Sequence, residues 1–369
     1  MSGNFFQRPK LFSLAIFLAL AANAGAQATN HFLTVVQENF ARWDLNHDGI
    51  LSTNEIDAAV ANAQITNENA AAVAALKRAS LPQTALPPLT LTNLAVLTTQ
   101  RQPDLAQMFT EGVARIAGAT NRTLFAEGLP RLATIHQGRL GNCFCLAPLG
   151  AMVHRNPAEV TTLFVAETNG NYFVRLGKKT VEVTPPTDAE IALTSSNENA
   201  GVWVNVYEKA VGTARNEDRP LTERADSLLD ALARGGSAGT MLAYLTGHDM
   251  VRFSFKFAKT PATATNDFAA TLAELREKLS AAVRQKRLMT CGTLKPVTPG
   301  LTPNHAYAVL DYDAAGDVVS LWNPHGQNFQ PAGAPGPTNG YATTNGIFQI
   351  SLVEFVRQFS GMAFEVAAE

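Results

Sequence analysis

Gln137-Gly138-Arg139-Leu140-Gly141-Asn142-Cys143-Phe144-Cys145-Leu146-Ala147-Pro148-Leu149 is the stretch from which the rest of the chain is read. A glycine-punctuated turn delivers a cysteine, and an apolar segment with helical spacing follows at once. Cys143 is therefore expected at or near a helix N-terminus, where unpaired backbone N–H groups and the positive end of the helix dipole favour a thiolate. Gln137 lies shortly before it in the chain. If the glycine turn folds back, the Gln137 side-chain amide points at the oxygen of a carbonyl under attack and, with the Cys143 backbone N–H, forms an oxyanion hole.

A nucleophile of this kind needs a base and a group to orient the base. The candidates lie far downstream: His305 in Asn304-His305-Ala306-Tyr307-Ala308-Val309, and Asn323 in Leu321-Trp322-Asn323-Pro324. His305 opens an alternating run that predicts a strand. Asp311 to Asp317, with Gly316, supplies a turn, and Val318 to Trp322 returns as a second strand that brings Asn323 back beside His305. The order Cys, His, Asn is that of a papain-like thiol enzyme.

At these residues the chain resembles the calpain-type cysteine proteases. Their nucleophile motif has the form Gln-Gly-x-Leu-Gly-Asp-Cys-Trp, which Gln137 to Phe144 matches except at Asn142 and Phe144. Trp203 to Ala210, ending Glu208-Lys209-Ala210, is similar to the family's Trp-x-x-x-x-Glu-Lys-Ala helix. Gly235-Gly236-Ser237 with Leu245-Thr246-Gly247 resembles the segment closing its first subdomain. Gly300 to Val309 is similar to the histidine motif, Trp322 to Gly326 to the Asn-Pro-Trp-Gly motif, and Gly346 to Phe359 to the terminal strand and helix. The ordered matches run from about Leu124 to about Glu365. The resemblance implies an α+β fold, a two-lobed papain-like core with a helical Cys lobe and a β-rich His/Asn lobe. It also implies calcium held by loops of the core, for which no linear motif identifies ligands, and buried apolar positions for Cys145 and Cys291. Three departures bear on substrate preference: His325 stands where the family has a shielding tryptophan, His248 where a cleft glycine is usual, and Asn304 replaces the glycine before the histidine.

Twenty-nine basic against thirty-one acidic residues leave no field that would steer the chain towards nucleic acid. The 369 residues are ample for a sizeable core. Residues 1–28 are expected to be a secretory signal peptide: Arg8 and Lys10 precede the apolar run Leu11 to Ala22, and small-residue cleavage sites follow. A membrane anchor is the alternative, but the apolar run is shorter than the ~20 residues that a span needs. The expected location is secreted or periplasmic, with no membrane span after signal removal. Three cysteines in an oxidising compartment leave at least one thiol unpaired, expected to be Cys143, with a Cys145–Cys291 pairing left open.

Residues 29–80 are expected to form a small all-α EF-hand domain. Phe32 to Trp43 has helical spacing, and Asp44-Leu45-Asn46-His47-Asp48-Gly49-Ile50-Leu51-Ser52-Thr53-Asn54-Glu55 fits the calcium loop. Asp44, Asn46 and Asp48 supply side-chain oxygens and Ile50 its carbonyl. Ser52 takes the ninth position, and Glu55 grips with both oxygens, Gly49 making the sharp turn. Hands normally pair, and Ala63 to Asn69 with the alanine-rich helix after it is the expected degenerate partner, Ile65 facing Ile50. Residues 81–120 are expected to be linker and helix, the linker being Leu81 to Asp104 and the helix capped by Asp104. The Cys lobe follows at 121–247 and the His/Asn lobe at 248–369. The expected function is a calcium-associated cysteine endopeptidase acting on a protein or peptide through a thioester. The alternatives are a catalytically silent binding module of the same fold and a thiol acyltransferase of the transglutaminase kind.

Overall fold

A computed structural model describes residues 29–81, 86–99, 104–224, 227–255, 265–295 and 298–366. The expected signal peptide, residues 1–28, lies outside them. The chain divides into two compact units: Met1–Ala117 with Thr187–Ala192, and Gly118–Pro186 with Leu193–Glu369.

In the first unit, helix α1 (29–43) buries Phe32, Val35, Val36, Phe40 and Trp43, the face predicted by their spacing. The Asp44–Glu55 loop follows, then α2 (Thr53–Ala61), begun by a capping box in which Ser52 and Glu55 satisfy each other's backbone N–H. Helix α3 (Asn67–Ala79) buries Ala70 to Leu76 without a gap, because small side chains let neighbouring helices approach on every side. Lys77 is fully buried within it and ion-pairs with Asp57 at 2.5 Å.

Two expectations need correction here. The stretch expected to be linker contains helix α4 (Leu91–Leu97), capped by Thr90 and burying Leu94 and Leu97 one turn apart. Ile65 is also not the partner of the loop. Its amide closes a local turn on Asn62, while the loop's Leu51 N–H donates to the Leu89 carbonyl at 3.1 Å. The backbone that pairs with the Asp44–Glu55 loop is thus Leu89, just before α4. Helix α5 (Leu105–Gly118) starts at Asp104, whose carboxylate accepts from the Gln107 N–H at 2.9 Å as expected. Thr187–Ala192 joins this unit from far along the chain: Thr187 Oγ1 donates to the Val60 carbonyl and Asp188 accepts from the Asn67 amide.

The second unit is mixed α and β. Its first half carries α6 (Cys143–Arg155), α7 (Pro157–Thr161), an antiparallel sheet of β1 (Phe164–Ala166), β2 (Tyr172–Leu176) and β3 (Lys179–Val183), and α8 (Asp188–Leu193), all but whose last residue lies in the first unit. Helices α9 (Trp203–Glu217), α10 (Leu228–Ala233) and α11 (Ala238–Thr246) follow. Its second half is a six-stranded antiparallel sheet. In chain order its elements are β4 (Met250–Ser254), helix α12 (Thr265–Arg284), β5 (Met289–Gly292), β6 (Ala306–Asp313), β7 (Val318–Trp322), β8 (Ile347–Ser351), helix α13 (Leu352–Gln358) and β9 (Gly361–Glu365). The sheet order is β4-β9-β5-β6-β7-β8.

This sheet is covered on both faces, and its strand alternation places the Cys143 helix. Val319 and Leu321 of β7 join the core of Tyr307, Phe348, Phe355 and Leu279 beneath α12 and α13. Trp322, next along the strand, points the other way. It meets α6 at Gly150, where an added Cβ would come within 2.3 Å of the indole. The helix can lie this close to the sheet only because position 150 has no side chain. The expectation of β6 and β7 as a hairpin holds, with register Ala308↔Trp322 and Val309↔Leu321.

Candidate active site

Gly141 adopts φ +69°, a left-handed conformation that glycine enters without a steric penalty, and turns the chain into α6. Asn142 is the N-cap residue and Cys143 the first helical one, as expected. The turn is fixed from below. Glu208 of α9 is fully buried, and its carboxylate accepts from Asn142 Nδ2, from the Ser195 N–H at 2.9 Å and from Ser195 Oγ at 2.8 Å. Tyr207 donates to the Cys145 carbonyl at 3.1 Å, and the Arg215 guanidinium lies 4.4 Å from the Phe144 ring centroid. The Glu208 motif was legible, whereas its carboxylate's partners were not, because nothing in the spacing links it to Asn142.

The sheet brings the other candidates to this helix start. The Ala306 N–H, next to His305 at the head of β6, donates to Cys143 Sγ at 3.4 Å. His305 Nε2 lies 2.8 Å from Asn323 Oδ1. That oxygen also accepts from the His325 backbone N–H at 3.0 Å, and a backbone N–H can only donate. Nε2 of His305 must then carry the proton, which leaves Nδ1 as the basic nitrogen. The His325 ring stacks on His305 at 4.6 Å between centroids and 7° between planes, covering the His–Asn pair where the resemblance implies a tryptophan. Asn304 takes φ +47°, the conformation for which a glycine would be the usual choice.

Gln137 is buried, and its backbone N–H donates to the Pro324 carbonyl at 2.8 Å, which ties it to the Asn323 segment. Its side-chain oxygen has no hydrogen-bond partner among the described residues. Cys143 and His305 line a cavity of about 370 Å³ with residues of α11, β4, β5 and β9, whereas Gln137 and Asn323 are not among its lining residues. His248 lies outside it and pairs with Glu365 at 2.8 Å. All three cysteines are free thiols, Cys145 and Cys291 both buried.

Burial sets the protonation of the pair. It pushes the Cys143 thiol above its ordinary value, against the smaller opposing pull of the Ala306 and Phe144 amides. Burial, reinforced by His325, drives His305 down to about 3, against the Asn323 hydrogen bond. The helix start was expected to favour a thiolate. Desolvation opposes that preference, disfavouring the charged form of both the thiol and the imidazole.

In the first unit, the Asp44–Glu55 loop is all-oxygen in its donors, the chemistry of a hard divalent cation. Asp44 accepts from the Asp48 and Gly49 amides at 3.2 and 2.9 Å, Asp48 accepts from Ile50 at 2.8 Å, and Gly49 turns at φ +80°. Glu55 accepts from the Leu45, Asn46 and Ser52 amides and from Ser52 Oγ. With Ser52 the largest influence, these bonds hold its carboxyl down at about 2. Among the described residues no three His, Cys, Asp or Glu side chains converge as a ready-made metal cluster. The donor chemistry and the loop turn fit the ion, with Glu55 engaged on backbone amides.

A family model described as calpain family cysteine protease matches residues 113–334, more than half of the chain. No curated protein matches it.

Proposed function

The chain belongs to the calpain family of cysteine proteases, and on that premise we propose that it is a calcium-associated endopeptidase that cleaves peptide bonds through a thioester formed on Cys143. The observation that carries this reading is the 3.4 Å hydrogen bond from Ala306 to the Cys143 sulfur, since it ties the cysteine of one half of the unit to the histidine strand of the other.

His305 Nδ1 takes the thiol proton as the sulfur attacks the carbonyl carbon, forming a C–S bond. Charge develops on the carbonyl oxygen, for which the Cys143 N–H and the Gln137 amide are the proposed donors. The C–N bond then breaks, and the imidazolium gives its proton to the leaving amine. Water, losing a proton to His305, cleaves the thioester and restores the thiol. Asn323 orients the ring throughout by accepting from Nε2. Burial, which disfavours charge on both groups, favours a proton that moves as the sulfur attacks.

Asp44, Asn46, Asp48, Ile50 through its carbonyl, Ser52 and Glu55 would hold calcium in an EF-hand. When bound, the ion supplies rigidity to the corner between α1 and α2. Export of the mature protein to a secreted or periplasmic location is proposed from residues 1–28 alone.

The experiment is incubation of wild type and Cys143→Ala with a peptide library, with and without calcium. New amino termini from wild type only are expected, and cleavage by both proteins would assign the activity to a contaminant. The desolvation that opposes charge on Cys143 and His305 favours one second reading, a silent module that binds through the same cleft. Labelling of Cys143 by a thiol-reactive peptidyl inhibitor excludes it.

A further inference from the structure

The cavity that holds Cys143 and His305 has a charge of its own. Its lining contains one charged side chain, Arg252 of β4, and no carboxylate. The rest is glycine, alanine, hydroxyls and a few apolar groups, which neither neutralise a cation nor compete for it.

Arg252 is exposed, and hydroxyls hold it in place. Its Nη2 donates to Thr240 Oγ1 at 2.8 Å, in the first turn of α11, and to Ser237 Oγ at 3.3 Å, the N-cap of that helix. Neutral acceptors fix the direction of the guanidinium and leave its charge uncompensated. Nε and Nη1 have no protein acceptor among the described residues, so one edge of the fork remains for an incoming group. The surrounding backbone is tightly fitted: an added Cβ at Gly239 would come within 2.5 Å of Met250 and 2.7 Å of Ala363. The wall carrying Arg252 is therefore packed against its neighbours.

We propose that Arg252 is a specificity-determining residue that selects peptides with a carboxylate, an aspartate or glutamate side chain, at the position reaching β4. The inference deepens the endopeptidase reading and rests on it for the identity of the ligand as a peptide. A guanidinium fork accepts a carboxylate bidentately, and an amide of the same shape loses the charge assistance. A lysine at the same position meets a like charge.

The test uses a peptide set in which one Glu, Gln or Lys is moved residue by residue along an otherwise neutral sequence. Hydrolysis is measured with the wild-type chain, and equilibrium binding with Cys143→Ala. At one position Glu should exceed Gln by about three- to tenfold in both measurements, with the advantage shrinking as salt is raised. Arg252→Gln should abolish the ratio, Arg252→Lys should keep part of it, and Arg252→Glu should invert it in favour of Lys. Equal binding of Glu and Gln peptides at every position, or a Glu preference that survives in Arg252→Gln, overturns the inference. If no peptide is hydrolysed but Cys143→Ala still prefers Glu through Arg252, the endopeptidase reading falls and carboxylate recognition stands. Hydrolysis without discrimination has the opposite meaning.

Discussion

The cleft of the second unit and the Asp44–Glu55 loop of the first treat ionisable groups in opposite ways. Around Cys143 and His305, burial removes water without supplying enough hydrogen bonds to replace it, and the charged form of each is disfavoured. Around Glu55, three backbone amides and a serine hydroxyl replace the lost water, and a residue only 6% exposed stays ionised down to about pH 2. Burial alone therefore does not decide charge; the number of donors aimed at the group does. A neutral thiol–imidazole pair can pass a proton during reaction, while a fixed carboxylate can hold a cation or cap a helix.

The sulfur is where the cleft is most vulnerable. Cys143→Ala or His305→Ala should lower peptide hydrolysis by roughly 10⁴-fold or more, since each removes a member of a unit that works only together. Single-turnover assays with the purified variants check this. Gln137→Ala should cost about 10² to 10³ in kcat with a smaller change in KM, the scale of one oxyanion donor. A change confined to KM would remove Gln137 from that role.

His325 tests whether the depression of His305 comes from burial alone. Replacing it with phenylalanine keeps a stacked ring and removes the second imidazole that depresses His305. The His305 pKa should rise from about 3 while remaining below its ordinary value, and the acid limb of kcat/KM should move to higher pH with it. His305 is depressed in the folded state, so the unfolded chain binds a proton first, and stability falls as pH drops from about 6.5 towards 3. His325→Phe should narrow that window. NMR titration of the His305 ring reads the shift directly, and an unchanged pKa would leave burial as the sole cause.

Much of the cleft was legible because its signals are local. Gly141 before Cys143, and the turn between β6 and β7, lie within a few residues of what they organise. What escaped was two-sided or distant. Strand β5 is buried at Met289, Thr290 and Cys291 in succession, and β9 from Met362 to Glu365, so neither has the alternation that marks a half-exposed strand. The linker-like character of Leu81 to Asp104 comes from its prolines, which hid a short helix that buries only Leu94 and Leu97. The Leu51–Leu89 bond, the insertion of Thr187–Ala192 and the grip of Glu208 on Asn142 each join residues far apart in sequence. The desolvation that opposes a Cys143 thiolate escaped for a related reason: a helix start is visible in sequence, while the extent to which the fold covers it is not.

The Asp44–Glu55 loop answers to a milder change. Ser52→Ala removes the hydroxyl that contributes most to Glu55's low pKa and the side-chain half of the capping box. Loss of such a cap costs about 1 kcal/mol at neutral pH. Glu55 is depressed when folded, so its contribution is present above about pH 4.5 and is lost as pH falls towards 2. In Ser52→Ala its pKa should move up towards the ordinary carboxylate value, because the backbone amides of Leu45, Asn46 and Ser52 remain but their strongest companion is gone. The gap in stability between variant and wild type should then be widest near neutrality and close below pH 3. Hydrogen exchange of the α2 amides, followed in the full chain from pH 7 to pH 3, measures that gap. If it stayed constant across the range, the serine would act as a cap alone, and the ionisation of Glu55 would rest on the backbone amides.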